Sequence, residues 1–213
     1  MRFYIPPNLQ RDFTDSLNAL GTDAIINFNP LNKVKVRLDK VNYRTKDGKV
    51  TSNDVAFAEL SSSLKLGDYL QYKDETFMVN QLKRDEFPAC LEFCTETCNT
   101  KLNITRYEDM VQDEEGNVLI EAGDHPIASD LYCSTLFNNF QFRSTSGNVG
   151  IVPTDQLMAT SQFNNITKFI KIGDKFLWFD ESYQIVSLDR SQVDLSQDYG
   201  ILMFYAEKVV SGL

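Results

Sequence analysis

Residues 66–84 read LGDYLQYKDETFMVNQLKR and residues 172–190 read IGDKFLWFDESYQIVSLDR; the two align without a gap at a constant offset of 106 positions. Six of the nineteen aligned pairs are identical: Gly67 with Gly173, Asp68 with Asp174, Asp74 with Asp180, Glu75 with Glu181, Leu82 with Leu188 and Arg84 with Arg190. Six more keep their character, from Leu66 with Ile172 and Leu70 with Phe176 through Tyr72 with Trp178, Thr76 with Ser182 and Phe77 with Tyr183 to Val79 with Ile185. Apolar matched to apolar over this length marks an internal duplication of one structural unit. Each copy reads as a hairpin: a turn at Gly-Asp, a short strand, a tight turn at Asp-Glu and a returning strand with apolar residues on both arms.

Outside this segment the period is mostly two. Ala24 to Phe28, Val34 to Leu38 and Val41 to Tyr43 run as strands, and Asp47-Gly48 supplies a hairpin turn toward the segment around Val55 to Leu60. Thr100 to Thr105 alternates as the last strand of the first half, and Met110 to Gln112 with Val118 to Ile120 makes a further hairpin across Asp113-Glu114-Glu115-Gly116-Asn117. The offset of 106 also sets Gln141-Phe142-Arg143 against Lys35-Val36-Arg37, and Ile201 to Tyr205 closes the second half. Helix is expected only near the start, where Asn8 is a capping residue and Leu9, Phe13, Leu17 and Leu20 recur on one face before Gly21. Such a face must lie on a β-core or on a neighbouring subunit. The fold class expected is mainly β: two tandem duplicated small antiparallel β-barrel-like units with a short N-terminal helix. The boundaries expected are 1–23 for the helical segment, 24–105 for the first unit, 106–126 for a connecting hairpin and 127–213 for the second unit.

At 213 residues the chain has room for two small cores. The opening residues MRFYIPPNLQRDF lack a signal-peptide pattern and no apolar run is long enough to span a bilayer, so assembly in a reducing cytoplasm is expected, with no membrane partner. A net charge of −9 argues against sequence-specific nucleic-acid binding. Residues 33–49 are a local exception, with Lys33, Lys35 and Arg37 opening a run of seven basic residues against Asp39 and Asp47. That row is either a solvated pair of strands or a docking face for an acidic partner.

His125 is the only histidine, no nucleophile elbow occurs, and the acidic residues single out no catalytic pair, so no enzyme activity is expected. Cys90, Cys94 and Cys98 are spaced by four; eight residues of strand span about 26 Å, too far for one metal of bond length about 2.3 Å unless the chain turns. Reduced, buried thiols are expected, with no metal and no cofactor. Asp113, Glu114 and Glu115 do not fit a calcium loop, because Val111 falls where its first carboxylate is required. Trp178 is matched by Tyr72, which favours a core aromatic over a sugar-stacking platform.

Leu64-Lys65-Leu66-Gly67-Asp68-Tyr69-Leu70, with Phe77-Met78-Val79 after the turn and then Cys98 to Leu102, resembles small β-barrel proteins of the head-to-tail region of tailed bacteriophages. The second copy keeps Gly173-Asp174 and Tyr183-Gln184-Ile185 without a Cys-Asn pair, so the likeness covers about a third of the chain. The resemblance implies a virion structural protein of the neck, a head-completion, stopper or collar component that forms a homo-oligomeric ring among portal, neck and tail proteins. An acidic ring would suit a DNA conduit that does not hold the duplex. Docking would use Leu9, Phe13 and Leu17 of the helix, the acidic tip Asp113, Glu114 and Glu115, and the basic row Lys33, Lys35 and Arg37. A tail-tip or baseplate module for host carbohydrate and a cell-wall hydrolase are the alternatives.

Overall fold

The computed structural model describes residues 7–44, 50–83, 90–137 and 156–209. Helix α1 (Pro7–Leu20) is followed by β1 (Thr22–Ile26), β2 (Lys33–Arg44), β3 (Val50–Ala58), β4 (Tyr69–Tyr72), β5 (Glu75–Lys83) and β6 (Leu91–Thr97). These six strands close a barrel in the order β1-β2-β3-β6-β5-β4, every neighbour antiparallel. Next come β7 (Thr100–Glu108), β8 (Val111–Gln112), β9 (Val118–Ile120), β10 (Gly123–Phe137), β11 (Gln156–Phe163), β12 (Lys175–Trp178), β13 (Glu181–Asp194) and β14 (Tyr199–Lys208), with a 3-10 turn at Thr167–Phe169. β7, β10, β11, β14, β13 and β12 close a second barrel of the same strand order, while β8 and β9 form a separate two-stranded ribbon. The chain divides into two compact units at Cys98 and Asn99.

Closure removes the unpaired edges that an open sheet would leave. Each barrel is filled by the inward positions of its alternating strands. In the first these include Ala24, Ile26, Val36, Ala56, Leu70, Phe77, Val79, Leu91 and Phe93. In the second they include Leu102, Ile104, Cys133, Leu157, Ala159, Phe176, Tyr183, Ile185 and Phe204. Full burial of a side chain such as Phe93 or Phe204 contributes about 1.5–3 kcal/mol.

The duplication is visible in the pairing register. Leu70 faces Phe77 in the first barrel, and Phe176 faces Tyr183 in the second. Both returning strands carry an irregularity at the same place, between Val79 and Gln81 and between Ile185 and Ser187. Farther along, the constant offset fails because the connecting loops differ in length. Thr22 faces Val36 and Thr100 faces Cys133, so the counterpart of Val36 is Cys133 in β10. The expected match with Gln141-Phe142-Arg143 is thereby corrected, and those three residues, with Phe140, lie outside the described ones. The Asp47-Gly48 turn and Arg84 also lie outside them, although β2 and β3 pair up to Arg44 with Val50.

Two boundaries differ from the expectation. Thr100 to Thr105 does not end the first unit: it lies in β7, paired with β10 and β12, and sends Leu102 and Ile104 into the second core. Consequently residues 106–126 are not a connector between units but an extension of the β7–β10 hairpin within the second one. Helix α1 begins at Pro7, which places Asn8 inside it rather than at its cap, and proline suits that first position because it has no N–H to leave unpaired.

Candidate docking surfaces

The two Gly-Asp turns are built alike. Gly67 and Gly173 take φ of 88° and 98°, a left-handed conformation that costs glycine little. Gly67 N–H donates to Val79 O and Val79 N–H to Asp68 O at 2.7 and 2.8 Å; Gly173 and Ile185 repeat the exchange with Asp174 at 2.8 Å each. Both carboxylates are buried and both accept the backbone N–H three residues earlier, from Lys65 at 2.6 Å and from Lys171 at 2.8 Å. The remaining lone pairs are met differently. Asn27 Nδ2 donates to Asp68 at 2.7 Å, whereas Arg106 donates to Asp174 from Nε and Nη2 at 2.7 and 3.0 Å. Arg106 Nη2 also donates to Phe169 O, and its pKa is raised by the hydrogen bond to Asp174. In both copies the turn is thus locked to the end of the barrel's first strand. No local signal in the sequence could have paired Arg106 with Asp174, which lies 68 positions away.

Trp178 packs at the edge of the second core, its ring perpendicular to Tyr183 at 5.7 Å. Tyr72 and Phe77 make the same edge contact at 6.5 Å in the first barrel. A short turn lies between Trp178 and Glu181, with Phe179 and Asp180 at φ of 47° and 63°. That turn leaves Phe179, an uncovered ring the sequence did not flag, 82% exposed against Trp178, whose ring also meets Phe137.

The cysteines are thiols, with Cys90, Cys94 and Cys133 buried. Burial, reinforced by the Glu96 carboxylate, pushes Cys98 up to about 12. Among the described residues no three His, Cys, Asp or Glu side chains are grouped to hold a metal ion. His125 Nε2 donates to Glu121 O at 2.8 Å, a bond that braces the base of the arm.

The proposed docking residues separate into structural and uncovered ones. Leu17 is buried and anchors α1, but Phe13 is only half-buried and Leu9 and Leu20 are exposed. Of the predicted face only Leu17 is buried. The C-terminal turn of α1 runs close over β2: a Cβ on Gly21 would stand 2.9 Å from Lys35 Cγ. Beside it Lys33 and Arg37 are exposed and Lys35 is half-buried, all on the outward face of β2, and Arg37 pairs with Asp39 at 3.3 Å. At the arm tip Asp113 is occupied by the turn itself. Its carboxylate accepts from Asn117 N–H at 2.7 Å, Asn117 Nδ2 at 2.8 Å and Glu115 N–H at 3.1 Å, which holds its pKa below the usual value. Glu114 and Glu115 remain as outward charges, flanked by exposed Met110, Val111, Val118 and Leu119.

Residues 96–207 match the model of the YomX C-terminal domain, a little over half of the chain. The chain belongs to that family. The matched span coincides with the second barrel and its arm, so the family's domain here is β7 to β14. The first barrel lies outside the match yet repeats its topology strand for strand. No curated protein and no solved structure matches the chain.

Proposed function

We propose that the protein is a non-catalytic structural component of a tailed-bacteriophage virion, of the neck between head and tail, which works by docking to portal, neck or tail proteins as part of an oligomeric ring. The observation that carries the docking reading is the uncovered apolar surface on both units. A two-stranded ribbon with Met110, Val111, Val118 and Leu119 exposed buries no core of its own, and a helix whose apolar face buries only Leu17 leaves Leu9 and Leu20 in water. Surfaces of that kind mark protein interaction sites. The neck assignment is supported by the likeness of the Gly-Asp hairpins to head-to-tail barrel proteins. Assembly would take place in the host cytoplasm and the product would reside in the virion, with the acidic surface giving a conduit wall that repels the duplex.

The test is sedimentation of the full chain alone and with an assembled portal ring from the same virus. A stoichiometric complex supports the reading; sedimentation of the chain as if no ring were present, at concentrations well above those of assembly, rejects it. A lumen lined by basic residues would reject the conduit.

A second reading, a tail-tip or baseplate module that holds host carbohydrate, is favoured by the exposed ring of Phe179 against Trp178. Binding to cell-wall glycans that is lost in Phe179→Ala and kept in Trp178→Tyr would favour it; absence of binding to any such glycan would remove it.

A further inference from the structure

We infer that the acidic arm of one copy, β8–β9 with its turn, seats on the outward face of β2 beside α1 in a second copy, making a head-to-tail contact; this deepens the ring reading above and rests on it. The two surfaces are complementary in charge. Residues 1–98 carry 13 Lys and Arg against 14 Asp and Glu, while residues 99–213 carry 8 against 16. The acid excess of the second unit is concentrated in its arm, where residues 106–126 hold seven carboxylates and one arginine. That arginine, Arg106, is already committed to Asp174, so it offsets nothing at the tip. The tip carboxylates Glu114 and Glu115 stand exposed, and Asp113 rather than either of them closes the turn. Lys33 and Lys35 supply the opposite sign on β2, with Arg37 shared with Asp39.

The surfaces are also complementary in polarity. Exposed Val118 and Leu119 flank the acidic tip, and exposed Leu20, next to Gly21 over Lys35, flanks the basic row, so each side offers an apolar side chain next to charge. An interface of that composition buries its apolar centre while the charges fix register and direction. The two patches are different surfaces, so the contact can be made head to tail, each copy giving its arm to one neighbour and its β2 face to the other; a reciprocal exchange would stop at a two-fold dimer, and an assembled mass above that of a dimer distinguishes the two. Repetition of a heterologous contact closes into a ring when the rotation permits and otherwise propagates as a filament. A single chain of this design needs no second protein species to form the ring.

The experiment is a charge swap in the full-length protein, read by sedimentation equilibrium over a range of concentrations. Glu114→Lys with Glu115→Lys and, separately, Lys33→Glu with Arg37→Glu should each raise the concentration for half-assembly about tenfold or more. All four positions are exposed, and unchanged circular dichroism would show that both variants fold. An equimolar mixture of the two variants, or all four substitutions in one chain, should restore assembly to near the wild-type midpoint. Wild-type protein that stays monomeric up to its solubility limit, single variants that assemble like wild type, or a swap that fails to restore assembly would each overturn the contact. A monomer that still binds the portal ring would overturn this contact alone, whereas charge-swappable assembly without portal binding would count against the neck reading alone.

Discussion

Removal of the Asp174 carboxylate is the sharpest test of how the second barrel is held together. Asp174 is 1% exposed and meets Arg106 through two hydrogen bonds and Lys171 N–H through a third. In Asp174→Ala the guanidinium of Arg106, whose side chain is 23% exposed, loses this counter-charge and keeps the Phe169 carbonyl as an acceptor. Breaking a buried ion pair from one side costs about 3–5 kcal/mol. The equivalent Asp68→Ala leaves neutral donors, Asn27 Nδ2 and Lys65 N–H, and costs about 1–3 kcal/mol. Trp178 is the only tryptophan and sits in the second barrel, so its fluorescence follows that barrel through a urea titration. The expected result is a large fall in the fluorescence midpoint for Asp174→Ala and little for Asp68→Ala, with circular dichroism registering both. A fluorescence-detected loss below about 1 kcal/mol in Asp174→Ala would refute the argument, since a group so buried and so bonded cannot be removed that cheaply.

Other outcomes follow from the comparison of the two copies. Ser161 is fully buried in β11 and its hydroxyl has no partner among the described residues, while its counterpart by strand pairing, Ala58, has no hydroxyl to satisfy; Ser161→Ala should raise stability by about 1 kcal/mol, and a lowered melting temperature would contradict this. Trp178→Tyr introduces the residue that the first copy uses at the same position and should cost about 1.5 kcal/mol or less by circular dichroism, since the aromatic edge contact is kept; unfolding of the barrel would show that the indole has no equivalent in Tyr72. Cys98, with a folded pKa of about 12 against an ordinary 9.0, should react with iodoacetamide at pH 8 orders of magnitude more slowly in the folded chain than in urea. The neutral thiol is the favoured folded form, so its stabilisation is complete below pH 9 and is lost as pH rises from there toward 12; Cys98→Ser should lessen that alkaline loss, and an unchanged alkaline limb would contradict it.

Much of this molecule was written in local sequence. A Gly-Asp pair followed by alternating apolar residues specifies a left-handed turn and a hairpin with one inward face, and both copies adopt it down to the irregularity after Val79 and Ile185. The apolar period also marked residues 100–105 as a strand. It did not say which barrel that strand would join, because alternation sets which side faces a core and carries no information about whose core it is. Tertiary structure made that choice when Leu102 found Leu131 and Ile104 found Phe176 as cross-strand partners. The same limit applies to the docking residues. The helical period grouped Leu9, Phe13, Leu17 and Leu20, and packing buried only Leu17; the acidic run grouped Asp113, Glu114 and Glu115, and turn geometry took Asp113 for itself. Sequence by itself determined the hairpins, their duplication and the sign of each charged run, all of which depend on neighbours within a few residues. Strand partnership, the Arg106 clamp on Asp174 and the division between buried and uncovered side chains were decided only in the folded chain, because each depends on residues brought together across tens of positions.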